Sequence, residues 1–259
     1  MPPDKNHRLA HLARRVHQCT KCALALTRTQ ALPGAGDTNA RLMIVAQAPG
    51  DQEDRTGHLF IGPSGQVFDQ FLEHAGLSRQ SLFVTNLLKC RLPKCRRPKQ
   101  REITACLPYL QEEMAIVAPD ILVPLGFYAM RSVMHLSALQ PPQARADSPQ
   151  FFGRLYWQGS FKIYPLPHPA SLLYNPAYRP RAQEMYATLG ILARPCRWYS
   201  LCPMKRFFEA GHVDRRWIEL YCTGDWSRCV RFQQEEQGIP HPDWMLPDGS
   251  LDQDLKALS

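Results

Sequence analysis

The sequence predicts an α/β protein: a three-layer α/β/α domain with a central four-stranded parallel sheet, followed by a small cysteine-rich C-terminal module. Two observations carry that expectation. Short apolar runs alternate with helical patterns through the first 194 residues, and strands that alternate with helices form parallel sheets covered on both faces. Near Pro195 the composition then changes, and the rest of the chain holds four cysteines and four tryptophans (Trp198, Trp217, Trp226 and Trp244) with little periodicity. The expected division is 1–194 and 195–259, without internal repeats.

The elements follow in order. Leu42 to Ala46 (LMIVA), Leu82 to Thr85 (LFVT), Ile121 to Leu125 (ILVPL) and Ile163 to Leu166 (IYPL) read as buried strands. Helical periodicity covers Ser64 to Ala75, Arg101 to Val117 and Phe127 to His135, and Ala177 to Leu192 closes the series. Residues 137–150 (SALQPPQARADSPQ) read as a polar, proline-rich loop. Ligands of such sheets bind at the carboxyl ends of the strands, and the polar residues of interest fall there.

Charge and cysteine usage narrow the function. The net charge of +8 is uneven: residues 195–259 carry 8 basic and 10 acidic side chains, against 23 and 13 in the first 194. A basic domain suits a partner made of phosphates, although a basic surface also serves solubility. No run approaches the roughly 20 apolar residues of a membrane helix, and no apolar run follows the amino terminus. The expected setting is the cytoplasm, with no membrane association, and the expected state is a monomer. Nine cysteines in that compartment point to metal ligation rather than disulfides.

After the first strand come Ala46-Gln47-Ala48-Pro49-Gly50-Asp51-Gln52-Glu53-Asp54 and then Phe60-Ile61-Gly62-Pro63-Ser64-Gly65. A turn of this kind between strand and helix can hold a polar ligand against backbone amides. Phe60 could stack on a planar base, although spacing alone favours a core residue. The second strand ends in Thr85-Asn86, and the amide of Asn86 can donate and accept at once, as one edge of a pyrimidine requires. The fourth strand runs into His168-Pro169-Ala170-Ser171-Leu172-Leu173-Tyr174. A histidine there can place an N–H on a leaving oxygen, although a lone histidine is more often structural.

The cysteines give the sharpest pattern. Cys19-x-x-Cys22 is followed by Cys90 and Cys106, four thiols that suit iron–sulfur or zinc. Between the last two lies a basic run, with Lys89, Arg91, Lys94, Arg96, Arg97, Lys99 and Arg101 in thirteen positions. Such a run is usually a solvated face, but one bounded by candidate ligands suits a phosphate-binding loop. Cys95 within it has no evident partner. In the tail, Cys196, Cys202, Cys222 and Cys229 are separated by five, nineteen and six residues. These spacings are wider than a zinc ribbon prefers and favour a second iron–sulfur cluster, with zinc or a metal-free tryptophan-rich cap as alternatives.

Taken together, CTKC, APGDQEDRTGHLFIGPSG, TNLLKCRLP, ACLPYL and HPASLLYNP resemble the uracil-DNA glycosylase superfamily, most closely its iron–sulfur family 4, over about residues 7–192. The resemblance implies a base-excision repair enzyme that hydrolyses the N-glycosidic bond of uracil in DNA without cutting the strand. It also implies a [4Fe-4S] cluster on Cys19, Cys22, Cys90 and Cys106. In its terms Phe60 stacks on the flipped base, Asn86 reads its edge, and His168 stabilises the departing charge. Ala48 and Gly50 complete the base pocket. Arg91, Arg96, Arg97, Lys99 and Ser171 meet DNA, and Leu172 or Leu173 wedges into the duplex.

The departures concern the first motif. Family 4 usually begins it with Gly-Glu, where this chain has Ala46-Gln47, and Gln47 resembles the glutamine of family 1. The family 1 catalytic aspartate falls at Ala48, so Asp51 is the first choice to position water, ahead of Glu53 and Asp54. A related subgroup with PGDQED is trapped covalently through a histidine in an inserted loop. Residues 91–105 contain no histidine, which predicts ordinary turnover. A shifted specificity, such as hypoxanthine, and a non-catalytic damage sensor are the rival expectations.

Overall fold

The computed structural model describes residues 4–158 and 161–258. It forms two compact units, Met1–Tyr186 and Ala187–Ser259.

The first unit is built on six strands: β1 (Ala35–Gly36), β2 (Leu42–Ala46), β3 (Leu82–Asn86), β4 (Ile121–Pro124), β5 (Tyr156–Gln158) and β6 (Phe161–Ile163). Their spatial order is β1-β3-β2-β4-β6-β5. The inner four are parallel, as the sequence predicts, and β1 and β5 add antiparallel edges. The pairing runs in register from Leu42 beside Leu82 to Ala46 beside Asn86, so both strands end side by side. All five residues of β2 are buried, because a central parallel strand faces helices on both sides. The two edges were not foreseen, since strands of two or three residues carry no readable alternation. The fourth expected strand, Ile163 to Leu166, is offset: β6 ends at Ile163, and Leu166 makes one further parallel bridge to Leu125.

The helices are α1 (Lys5–His17), α2 (Asp51–Thr56), α3 (Pro63–His74), α4 (Gln100–Val117), α5 (Gly126–Leu136), α6 (Pro169–Tyr174) and α7 (Arg179–Leu192). Asp4 caps α1, accepting from the Asn6 N–H, and Pro63 opens α3 where a missing N–H is harmless. Part of the loop expected at 137–150 is a 3₁₀ turn, Arg145–Gln150, started by Asp147 accepting from the Ala144 N–H. Val16 on α1, Met43 and Val45 on β2, Phe83 on β3 and Leu110 on α4 share one core with Cys90 and Cys106.

The second unit has no comparable sheet among the described residues. It contains α8 (Pro203–Glu209), α9 (Arg215–Trp217), α10 (Val230–Gln237) and α11 (Gln253–Lys256), with one bridge between Met245 and Leu251. Its core is Met204, Phe207, Val213, Ile218, Cys222 and Leu255. Among the described residues no helix is long and apolar enough to cross a membrane.

Candidate active site

The parallel strands deliver their following residues to one end of the sheet, and a cleft of about 400 Å³ opens there. Ala46 at the end of β2 and Ala48 beyond it, Gly50, Asp51 and Glu53 at the start of α2, Phe60, Asn86 from β3 and His168 before α6 all line it. Residues more than a hundred positions apart thus share one small space, as strand-end sites in parallel sheets do. Gln47 is the exception and does not line the cleft. Successive side chains leaving a strand point to opposite faces, so Ala46 and Ala48 turn inward and Gln47 turns away.

Phe60 is only 8% exposed, and its ring lies 4.8 Å from that of Phe68. It is therefore both a core residue and a wall of the cleft. Its φ of 56° is left-handed, a conformation that ordinary side chains avoid. Two contacts hold it there. Arg79 donates to its carbonyl at 2.9 Å, and Gly65 packs so close that a Cβ would lie 1.9 Å from that oxygen.

Two carboxylates, Asp51 and Glu53, line the cleft, and a third, Asp54, follows them on α2 with a separate duty. Glu53 is buried and accepts from the N–H groups of Ile61 (3.0 Å) and Gly62 (2.9 Å), fixing the turn that carries Phe60. Asp54 is buried and accepts from the Thr29 N–H. Asp51 is the exposed one, and its carboxylate meets Arg91 at 2.7 Å. Arg91 takes only Oδ1 of the exposed Asp51, which leaves Oδ2 to hold water at the cleft.

Asn86 is buried at the end of β3, and no described group bonds to its side-chain amide. Its side chain lines the cleft and offers a ligand one donor group and one acceptor. Its carbonyl is fixed by Lys89, whose Nζ also contacts Thr85 Oγ1 (2.6 Å) and Glu113 Oε2 (2.6 Å). Glu113 further accepts from the Gly34 N–H at 2.8 Å. This buried ion pair, unforeseen in the sequence, anchors the strand end.

His168 precedes α6, and its Nδ1 accepts the Ala170 N–H at 3.1 Å. With Nδ1 used as acceptor, a neutral ring carries its proton on Nε2. Burial pulls its pKa down to about 4, so the ring is neutral near pH 7. Gly126, with φ +78°, lets the start of α5 pass close, since a Cβ there would lie 3.1 Å from the His168 Cβ.

Beyond His168, α6 separates its two leucines. Leu172 is buried, whereas Leu173 is 44% exposed and the neighbouring Tyr174 is 87% exposed. The sequence offered no signal for Tyr174 beyond its place in the motif. Ser171 is exposed but donates its hydroxyl to the His168 carbonyl.

The basic run divides similarly. Lys89 is buried, Arg91 serves Asp51, and Arg96 donates to both oxygens of buried Glu102 (2.9 and 2.5 Å). Glu102 in turn accepts from the Lys99 N–H at the start of α4. Lys94, Arg97, Lys99 and Arg101 remain on the surface.

Cys19, Cys22, Cys90 and Cys106 line one small cavity together, far apart in sequence though they are. Arg28 donates to Cys90 Sγ at 3.1 Å and the Lys89 N–H to Cys106 Sγ at 3.3 Å, bonds that favour thiolates. Burial opposes them and pushes the Cys106 thiol up to about 11. As the side chains stand, no three His, Cys, Asp or Glu among the described residues are set to hold a metal ion. What the fold supplies is four soft donors around one space, a donor set that fits an iron–sulfur group. All nine cysteines are free thiols, Cys95 exposed among them.

A family model described as the uracil DNA glycosylase superfamily matches residues 33–190. The chain is 34% identical to a type-4 uracil-DNA glycosylase of Sulfurisphaera tokodaii, over 81% of this chain and 93% of the relative. A type-4 uracil-DNA glycosylase of Archaeoglobus fulgidus is 31% identical over 71% and 92%. A type-5 uracil-DNA glycosylase of Pyrobaculum aerophilum is 32% identical over 40% and 53%.

Proposed function

The chain belongs to the uracil DNA glycosylase superfamily, and we propose that its cleft removes uracil from DNA through Phe60, Asn86 and His168, with water held by Asp51. Uracil-DNA glycosylase activity in DNA repair is the function its type-4 relatives support. The observation that carries the site assignment is one cleft lined by an aromatic wall, the Asn86 side-chain amide and a neutral histidine with Nε2–H free.

A base stacked in a duplex cannot be attacked, so it must first be turned out of the helix. Leu173, exposed beside the cleft's histidine, is the side chain placed to fill the gap. The extruded uracil stacks on Phe60 and pairs its polar edge with the Asn86 amide. The bond between N1 and the sugar C1′ then breaks, and its electron pair passes to the uracil ring, leaving positive character on the sugar. His168 Nε2–H donates to the oxygen where that negative charge collects. A fixed neutral donor stabilises the transition state more than the ground state, because the charge appears only as the bond breaks. Water held by Asp51 adds its oxygen to C1′ and releases its proton, leaving an abasic site and free uracil.

No lysine lines the cleft among the described residues, so strand cleavage through a Schiff base has no nucleophile. Gln47 does not line the cleft, and hypoxanthine stands as the rival base that an inosine duplex tests. Cys19, Cys22, Cys90 and Cys106 would hold a [4Fe-4S] cluster, which would tie the end of α1, the segment after β3 and α4 together. Arg97 and Lys99 would meet the phosphates.

The test is incubation of anaerobically purified protein with labelled DNA carrying one uracil, with alkali revealing abasic sites and an inosine duplex in parallel. Repeated turnover on uracil, lost in His168→Ala, is expected. Absence of product from protein that binds DNA would defeat the assignment, and product on inosine alone would move the specificity.

A further inference from the structure

The second unit gathers a set of donors that glycosylase chemistry does not use. Cys196 lies before α8, Cys202 at its cap, Cys222 at the end of the turn after α9, and Cys229 at the cap of α10. All four nevertheless line a single cavity of about 80 Å³. We infer that Cys196, Cys202, Cys222 and Cys229 are the thiolate ligands of a second iron–sulfur cluster, of the [4Fe-4S] class.

Several independent features support this site. Cys222 and Cys229 are buried, and both line this cavity with Cys196 and Cys202. A cationic group is buried beside them. Arg231 is 3% exposed and lines the same cavity, and its NH1 is satisfied by the carbonyls of Pro242, Asp243 and Met245. Its Nε has no partner among the described residues. A buried guanidinium with a spare donor needs a negative counterpart, and a cluster held by four thiolates supplies net negative charge.

The spacing favours a cluster over a lone ion: five, nineteen and six residues separate the four cysteines, wider than the tight pairs of a zinc ribbon. On assembly the four thiols lose their protons, and iron and sulfide enter as the bound group.

The full chain, purified anaerobically, should be assayed for iron, acid-labile sulfide and zinc per chain, with Mössbauer spectra of iron-57-enriched protein. About eight irons and eight sulfides are expected, falling to about four in Cys222→Ser and also in Cys106→Ser. A wild-type chain with only about four irons, all of them kept in Cys222→Ser, or stoichiometric zinc in the wild-type chain, would overturn the inference. About four irons lost in Cys222→Ser but kept in Cys106→Ser would uphold it and remove the first cluster instead. Should Cys222→Ser fail to fold, the wild-type count and spectra still decide, because one cluster cannot supply eight irons.

Discussion

The two units solve the problem of holding a chain together differently. In the first, a parallel sheet is buried under helices, and Met43, Phe83, Leu110 and Val133 belong to one continuous core. In the second, short helices surround Met204, Phe207 and Leu255, and cysteines occupy the positions where more apolar side chains would be needed. A small unit buries too little apolar surface to fold by that means alone, and metal ligation is a common remedy. The first four cysteines sit in or against a core that already exists, so a cluster there would fasten a fold rather than create one. The contrast teaches that the same ligand chemistry carries different weight according to what surrounds it.

The largest way to break that comparison is chelation under reducing conditions. Four of the five tryptophans (Trp198, Trp217, Trp226 and Trp244) lie in the second unit, so tryptophan fluorescence reports mainly on it. Stripping metal should abolish its native emission while far-ultraviolet circular dichroism keeps the signal of the first unit. Simultaneous loss of both signals would show that the two units depend equally on metal.

Next in size is Glu113→Ala, which leaves the Lys89 ammonium buried without its carboxylate. Breaking such a pair from one side costs about 3–5 kcal/mol, to be read from denaturant melts of the first unit. A loss below 1 kcal/mol would mean that Lys89 finds water or escapes.

His168→Ala should separate catalysis from folding. Removal of one transition-state donor costs about 2.7–4 kcal/mol, or about 100- to 1,000-fold in single-turnover rate, with melting little changed. The pH dependence follows from the same residue. Its folded pKa of about 4 lies below the roughly 6.5 of an unfolded histidine. Above the unfolded value both states are neutral and the histidine contributes no pH dependence. As the pH falls from about 6.5 towards 4, the unfolded chain takes up a proton that the native one refuses, so stability declines. Cleavage rates should show no histidine inflection between pH 6 and 8.

The smallest effect is expected at the surface. Arg97→Ala should lower the salt dependence of DNA binding by about one unit of slope, and Arg96→Ala should instead destabilise the protein, since its guanidinium serves Glu102. Equal salt effects for the two would show that both meet phosphate.

The central sheet was legible because β2, β3 and β4 are compact, largely apolar runs, whereas the reading of β6, which Lys162 interrupts, ends three residues late. The edge strands were not, having too few residues for a pattern. Among site residues, Phe60, Asn86 and His168 reach one cleft, while Gln47 does not, a distinction that turns on which way one side chain leaves a strand. A row of basic letters likewise concealed three different fates: Lys89 buried, Arg91 and Arg96 paired to acids, and Arg97 exposed. Pairing partners lie tens of residues away or on a neighbouring turn, and local composition does not record them.

Asn86, Lys89, Cys90 and Arg91 fall within six consecutive residues, yet they serve the cleft wall, the buried ion pair, the cysteine cavity and the Asp51 carboxylate in turn. That stretch acts as a fixed ruler, with each mark set by the one before it. Single substitutions along it would injure one task at a time, but a one-residue insertion would misalign every task beyond it. Over evolutionary time this segment should accept changes of letter and refuse changes of length.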